Sequence, residues 1–333
     1  DVIEISVTIR GVVVVSSLVL QLNRIMNSIK GNFHGTQAAA IINNVEGTVY
    51  GLQLSGIKSS AKREVTGFQV SGIQNYANSG FMGMQVSAIM NVTNGKSTGA
   101  QMSGIYNEAT EEFEGGQLSF GVNKAKKGNM YLQAAIFKNR SNMNKGLQAS
   151  IFVNHTKMNK GLQVGLINVS KNGNGVAIGL VNIVKEGYRK VELSANELTH
   201  LNASLKSGNQ RLYNIYSFGY RPSKMPILDI GFGFGSYINI NEKMTVSFDL
   251  TAHILGKVNV TKPYLNFKFT PTVDYKLAKG ITVFAGPSIT AGFVYSTNPS
   301  ETFDLPIIPA YEGPIQGGQG QIWFGARAGI RLF

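Results

Sequence analysis

Few residues in this chain are suited to chemistry, and their spacing argues against most of it. The four histidines, His34, His155, His200 and His253, lie far apart, and none falls in HExxH or another metal-ligand spacing. Cysteine is absent, which removes disulfides and thiolate sites without fixing the compartment. No GxSxG stands in a strand-to-helix context. GFGFG at 231–235 precedes no plausible helix and reads as a smooth strand with small residues, not a phosphate loop. Glu111, Glu112 and Glu114 interrupt otherwise basic turns and would offer carboxylates to a cation, but without EF-hand spacing. No catalytic residue, metal or cofactor is expected.

Five charged residues invite a sharper reading. Glu192, Asp249, Lys268, Arg327 and Arg331 each lie in an alternating or polar-faced segment, and Arg189, Lys190 and Glu197 accompany Glu192. If those faces share one lumen, two readings stay open. One is a polar pore or a proton or ligand site. The other is an ion-pair network filling a narrow barrel, because eight strands leave room for little beyond side chains.

The net charge of +13 makes nucleic acid the first partner to test. The lysines are scattered through turns, with no arginine-rich stripe or base-stacking motif, so nucleic acid is not expected. A solvated surface facing anionic lipid or glycan accounts for the charge.

A second set of residues has spacing of another kind. Gln37, Gln53, Gln69, Gln85, Gln101, Gln117 and Gln133 recur every 16 residues, and Gln148 and Gln163 follow at steps of 15. Ala177 takes the next place, 14 residues on. The text around them recurs as GLQLSGIKS, GFQVSGIQN, GMQVSAIMN, GAQMSGIYN and GLQASIFVN. Asn43, Asn75, Asn91, Asn107, Asn123, Asn139, Asn154, Asn168 and Asn182 form a companion series. Such spacing suits hydrogen-bond ladders between stacked units better than a row of catalytic groups.

The elements that must position these residues follow from the alternation. Leu52 and Leu54 point one way, Gln53 and Ser55 the other, which is the period of a strand. The rest of each unit is rich in Asn and Gly, which tolerate turn backbones. One short strand cannot bury its own face, so stacking is required. The expected form is a β-solenoid with one unit per coil over about 35–182. The competing form makes each unit one strand and turn of an antiparallel sheet.

From about residue 187 the strands lengthen. Val246, Phe248, Leu250, Ala252 and Ile254 oppose Ser247, Asp249, Thr251 and His253; Leu265, Phe267 and Phe269 oppose Asn266, Lys268 and Thr270. Ile322, Phe324, Ala326, Ala328 and Ile330 oppose Gly325, Arg327, Gly329 and Arg331. Near the start, Ile3, Ile5, Val7 and Ile9 alternate in the same way. An apolar face opposite a charged one, at about ten residues per strand, is the pattern of an outer-membrane barrel. A soluble sheet with one wet face shares it. Eight strands are expected near 2–15, 189–200, 209–220, 227–240, 244–256, 262–275, 279–295 and 319–333. Tyr220, Tyr237, Tyr264, Tyr275, Tyr295 and Trp323 are placed in interfacial belts. The apolar run 11–22 is too short for a spanning helix. A chain opening at Asp1 and not Met suits a processed form.

The units GLQVGLIN, IGLVNIVKEGYRKVELSANE and SGNQRLYNIYSFGYRP, with VFAGPSIT at 283–290, resemble a family of surface-repeat outer-membrane proteins of Bacteroidetes and, more distantly, Leptospira. The resemblance covers nearly the whole chain and is strongest over 146–222. It implies a location and no reaction, since the family is uncharacterised. Gln and Ser stand where many members carry apolar residues, which leads to an expectation of a more polar repeat surface.

The expected fold is therefore all-β: a 14–16-residue tandem β-repeat, solenoid-like, inserted in a roughly eight-stranded outer-membrane-type antiparallel barrel. Residues 1–20 would form the first barrel strand, 35–186 the array and 187–333 the remaining strands. The expected function is a non-enzymatic outer-membrane protein, a binding or structural subunit of an envelope complex with its array extracellular. A small channel or transport component, capped or plugged by the array, is the alternative. Outer-membrane lipid, other envelope proteins or a surface glycan are the expected partners.

Overall fold

The computed structural model describes residues 4–7, 11–12, 18–223, 226–257, 264–294, 307–315 and 318–333. Every regular element among them is a strand. No helix among the described residues is long and apolar enough to cross a membrane. The chain forms two compact units, Asp1–Val181 and Asn182–Phe333.

The first unit is a solenoid. Most coils carry a longer strand and a shorter one, as in Glu64–Ser71 followed by Gln74–Ala77, and Tyr106–Ser119, Val122–Ala135 and Lys138–Ser150 run on as single strands. Successive coils pair in parallel and in register: Gly83 lies against Gly99, Gln85 against Gln101 and Ser87 against Ser103. Parallel pairing at one-coil separation decides against the antiparallel alternative. The glycine two residues before most ladder glutamines is dictated by the stack. Gly99 has φ of 134°, and a Cβ there would sit 2.0 Å from the Gly83 carbonyl oxygen of the preceding coil.

The solenoid begins earlier than the repeat text suggests. Leu18–Asn23 and Met26–Ile29 pair in parallel with Phe33–Ala39 and Ile42–Val45. Glu4–Val7 pairs in parallel with the strand at 18–23, and Gly11–Val12 with the strand at 26–29. The assignment of residues 1–20 to the barrel is thus corrected wherever they are described. Their alternation is shared by any half-buried strand, and in-register stacking claimed it. The array is consequently not inserted between two barrel strands.

The polarity of the coils also departs from expectation. The ladder glutamines lie inside, while apolar residues of the same coils face out: Phe68 is 53% exposed, Met82 59% and Phe120 71%. A buried asparagine row lies inside as well, and the apolar part of the interior is built from Phe33, Val49, Val65 and Phe81 and, further along, Phe113 and Met130. The expected polar repeat surface is therefore largely inverted.

The second unit is a closed antiparallel barrel of eight strands: Tyr188–Asn196, Leu201–Gly208, Tyr213–Arg221, Ile227–Asn239, Met244–Lys257, Tyr264–Ala278, Ile281–Val294 and Gly318–Leu332. The last strand pairs with the first, Arg331 opposite Glu192, which closes the sheet. Tyr311–Ile315 adds a short strand beside Gly318–Ile322. The eighth member is Leu201–Gly208, which takes the place expected for residues 2–15. Leu201, Ala203 and Leu205 alternate there with Asn202, Ser204 and Lys206, in a stretch that falls between the expected strands 189–200 and 209–220. Nearly every strand turns apolar residues outward, as with Leu250, Ile254, Phe267, Phe324 and Ile330.

Two belt residues prove to be interior. Trp323 and Tyr264 are buried, with ring centroids 6.3 Å apart. Tyr237 packs at 4.8 Å from the Tyr188 ring. Tyr275 is exposed, and Tyr220 half-buried. Tyr295 lies outside the described residues.

Candidate functional site

Two polar constructions carry the residues singled out above. In the solenoid, the glutamine at each coil donates its amide Nε2 to the Oε1 of the one before. Gln37 reaches Gln21 at 3.1 Å, and Gln53, Gln69, Gln85, Gln101, Gln117, Gln133, Gln148 and Gln163 continue the chain at 2.6–3.0 Å. All are buried. Gln21 is a rung that the repeat text did not supply, because its surroundings read as a membrane strand. The ladder has two open ends. Gln21 Nε2 and Gln163 Oε1 are buried without hydrogen-bond partners. Ser6 and Ala177, at the next positions of the stack, carry no side-chain amide to complete it.

The asparagine ladder runs the other way. Asn75, Asn91, Asn107, Asn123, Asn139 and Asn154 each donate Nδ2 to the Oδ1 of the following coil at 2.9–3.0 Å. The two rows of amide dipoles therefore oppose each other along the axis. Each asparagine also donates to a backbone carbonyl of the following coil, as Asn91 does to Met102 at 2.7 Å, and pins the corner of that coil. Ser59 breaks the row, and Asn75 Oδ1 above it has no partner. Buried amides are tolerated when satisfied, and these are satisfied by one another.

Outside the solenoid core the charges also pair from coil to coil. Lys124 Nζ lies 2.8 Å from Glu108 Oε1. Burial alone would raise the Glu108 carboxyl, but hydrogen bonds from Lys124 and Tyr106 and the charges of Lys124 and Lys126 outweigh it and hold it below the ordinary carboxylate range. The acidic cluster is spent in the same way: Glu111 pairs with Lys127 at 2.5 Å, and Glu114 accepts from Asn129 at 2.6 Å. No group of three or more His, Asp or Glu among the described residues could hold a metal.

In the barrel, four of the five candidate residues converge. Glu192 is buried against Lys206 at 3.0 Å and Arg331 at 2.8 Å, and pairs with Arg327. Lys206 reaches Asp249 at 2.5 Å, while Arg331 also pairs with Asp274. Tyr213 donates its hydroxyl to Asp249 at 2.6 Å. Three cations and three carboxylates balance within the lumen.

Lys268 stands apart and pairs with Glu197 at 2.8 Å, whose Oε1 also accepts from Trp323 Nε1 at 3.3 Å. His253 contacts Asp229 at 2.9 Å and Thr251 at 2.8 Å. Leu198, Ile227, Leu255, Tyr264 and Trp323 form an apolar cluster in the barrel. Lys206, Asp274 and Tyr213 were missed in the sequence. Alternation would have placed all three on lumen faces, but only closure of the barrel brings them beside Glu192. The filled lumen favours the ion-pair network over the open pore.

No family model, curated protein or solved structure matches the chain. The functional reading therefore rests on geometry.

Proposed function

We propose that this chain is an outer-membrane-type barrel protein whose solenoid serves as a non-catalytic binding or structural module. The observation that carries the reading is the inverted polarity of the barrel. Buried Glu192, Lys206, Asp249, Lys268, Arg327 and Arg331 face inward. Leu201, Phe218, Ile230, Leu250, Ile254, Phe267, Ile289 and Phe324, each at least 42% exposed, face outward. A sheet in water would bury the second set and solvate the first. In hydrocarbon the arrangement is the stable one.

Loop lengths suggest a side for the solenoid. The barrel's first strand begins at Tyr188, at the end that also holds Phe333 and the turns 209–212, 240–243 and 279–280. The opposite connections span 197–200, 222–226, 258–263 and 295–317. Barrels of this type keep short turns on the periplasmic side and long loops outside. The solenoid chain would then enter from the periplasm. Glu4–Val7 pairs within the solenoid, so no barrel strand precedes the array among the described residues and the array's side follows from the end at which Tyr188 begins.

The test is reconstitution of the full chain with phospholipid. The expected result is flotation with the vesicles after an alkaline wash, with heat-modifiable gel mobility. Release by the wash, with mobility unchanged by heating, would overturn the membrane reading.

A further inference from the structure

We propose that the solenoid binds one long alkyl chain, that of a fatty acid, in an apolar trough along its coils. The trough has a volume of about 690 Å³. One wall repeats the residue after each ladder glutamine, from Val86 through Met102, Leu118, Ala134 and Ala149 to Val164. Phe120, Ile136 and Ile151 face it. Six coils at the strand spacing give a length of about 24 Å. That exceeds the depth of one bilayer leaflet, about 15 Å of hydrocarbon, so an extended acyl chain fits along it.

The chemistry of the lining selects the occupant. Backbone groups of the trough are already used from coil to coil: Phe120 donates to Gly104, Ile136 to Phe120, Ile151 to Ile136 and Leu166 to Ile151, all at 3.0–3.1 Å. The hydroxyls of Ser87, Ser103, Ser119 and Ser150 are withdrawn from the surface. A sugar, a phosphate or a peptide backbone would give up its water here and receive no hydrogen bond in return. A polymethylene chain gives up nothing and covers Phe120, Ile151 and Val164, which are 71%, 56% and 37% exposed. Its carboxylate stays in water at an end of the trough. The proposal concerns the solenoid alone and does not depend on the barrel lying in a bilayer.

Ala134 and Ala149 are the small residues of the wall, flanked by Leu118 and Val164. Filling them with leucine, which Leu118 shows the position accepts, separates a shaped site from general stickiness. The full chain is held in amphipol, free of detergent, and titrated with cis-parinaric acid, whose emission rises in a dry site. The expected result is saturable binding at one per chain, weakened at least tenfold in Ala134→Leu/Ala149→Leu and displaced by palmitate. Equal or tighter binding in the filled variant overturns the proposal, since added apolar surface would then be all that matters. Displacement by diacyl phosphatidylcholine vesicles but not by palmitate overturns the fatty-acid assignment. Should the filled variant fail to fold, a diazirine-bearing fatty acid on the parent chain decides. Cross-links within residues 86–166 support the trough, and cross-links confined to residues 188–333 sink it.

Discussion

At the scale of single residues, the ladder glutamines are the most constrained polar groups in the solenoid. Gln101 both donates to Gln85 and accepts from Gln117, at 2.8 and 2.7 Å. Gln101→Leu would leave Gln85 Oε1 without its donor and Gln117 Nε2 with only its 3.3 Å bond to the Lys124 carbonyl, a loss of roughly 2–4 kcal/mol. Gln163→Leu should cost less, because its Oε1 already lacks a partner. Urea unfolding followed by far-UV circular dichroism checks the ranking; equal losses would contradict the ladder account. Glu108 adds a pH dependence. Its carboxyl is depressed in the folded chain, so its stabilisation is complete above the ordinary carboxylate range and is lost as pH falls through the depressed value. Glu108→Gln should lower the urea midpoint at neutral pH and converge with the parent in acid. A gap that persists unchanged in acid would assign the effect to packing.

At the scale of elements, the coil is the exchangeable unit. Deleting residues 83–98 joins Met82 to Gly99 and keeps both ladders in register, since Met82 and Thr98 are equivalent positions. The shortened chain should fold, with a solenoid shorter by one strand spacing, about 4.8 Å. Deleting only 83–90 should abolish the parallel register, and small-angle scattering with circular dichroism distinguishes the outcomes. The barrel lumen obeys a different rule. Lys206 lies between Glu192 and Asp249, so Lys206→Met leaves three buried carboxylates facing two arginines, with Asp249 held mainly by the Tyr213 hydroxyl, at a cost of roughly 3–5 kcal/mol. Trp323, the chain's one tryptophan, is buried in the barrel and reports on it alone. Its emission should shift at a lower temperature in Lys206→Met, while the ladder variants leave that transition in place.

At the scale of the whole molecule, the proposed sidedness has its own readout. In intact outer-membrane-bearing cells, added protease should spare the solenoid and cut it once the envelope is opened. Cleavage within residues 18–181 of unopened cells would return the array to the outer face.

Much of this molecule was legible in its sequence, because in-register stacking and strand alternation both write a period into the text. The 16-residue repeat identified the rungs, and period two identified the lumen faces holding Glu192, Asp249, Lys268, Arg327 and Arg331. The sequence could not say which side of the coil strand faces in. Gln53 and Leu54 alternate equally well either way, and only closure of the coil, with amide paired to amide, puts the glutamines inside. Nor could it allot residues 1–20, whose alternation suits both units. Their parallel partners lie about one coil further along, Val19 against Glu4 and Asn27 against Gly11, and the recurring repeat text does not reach back to mark them. The four scattered charges became one balanced cluster for the same reason. Strand alternation is local, whereas the pairing of Arg331 with Glu192 spans 139 residues and exists only when the last barrel strand meets the first.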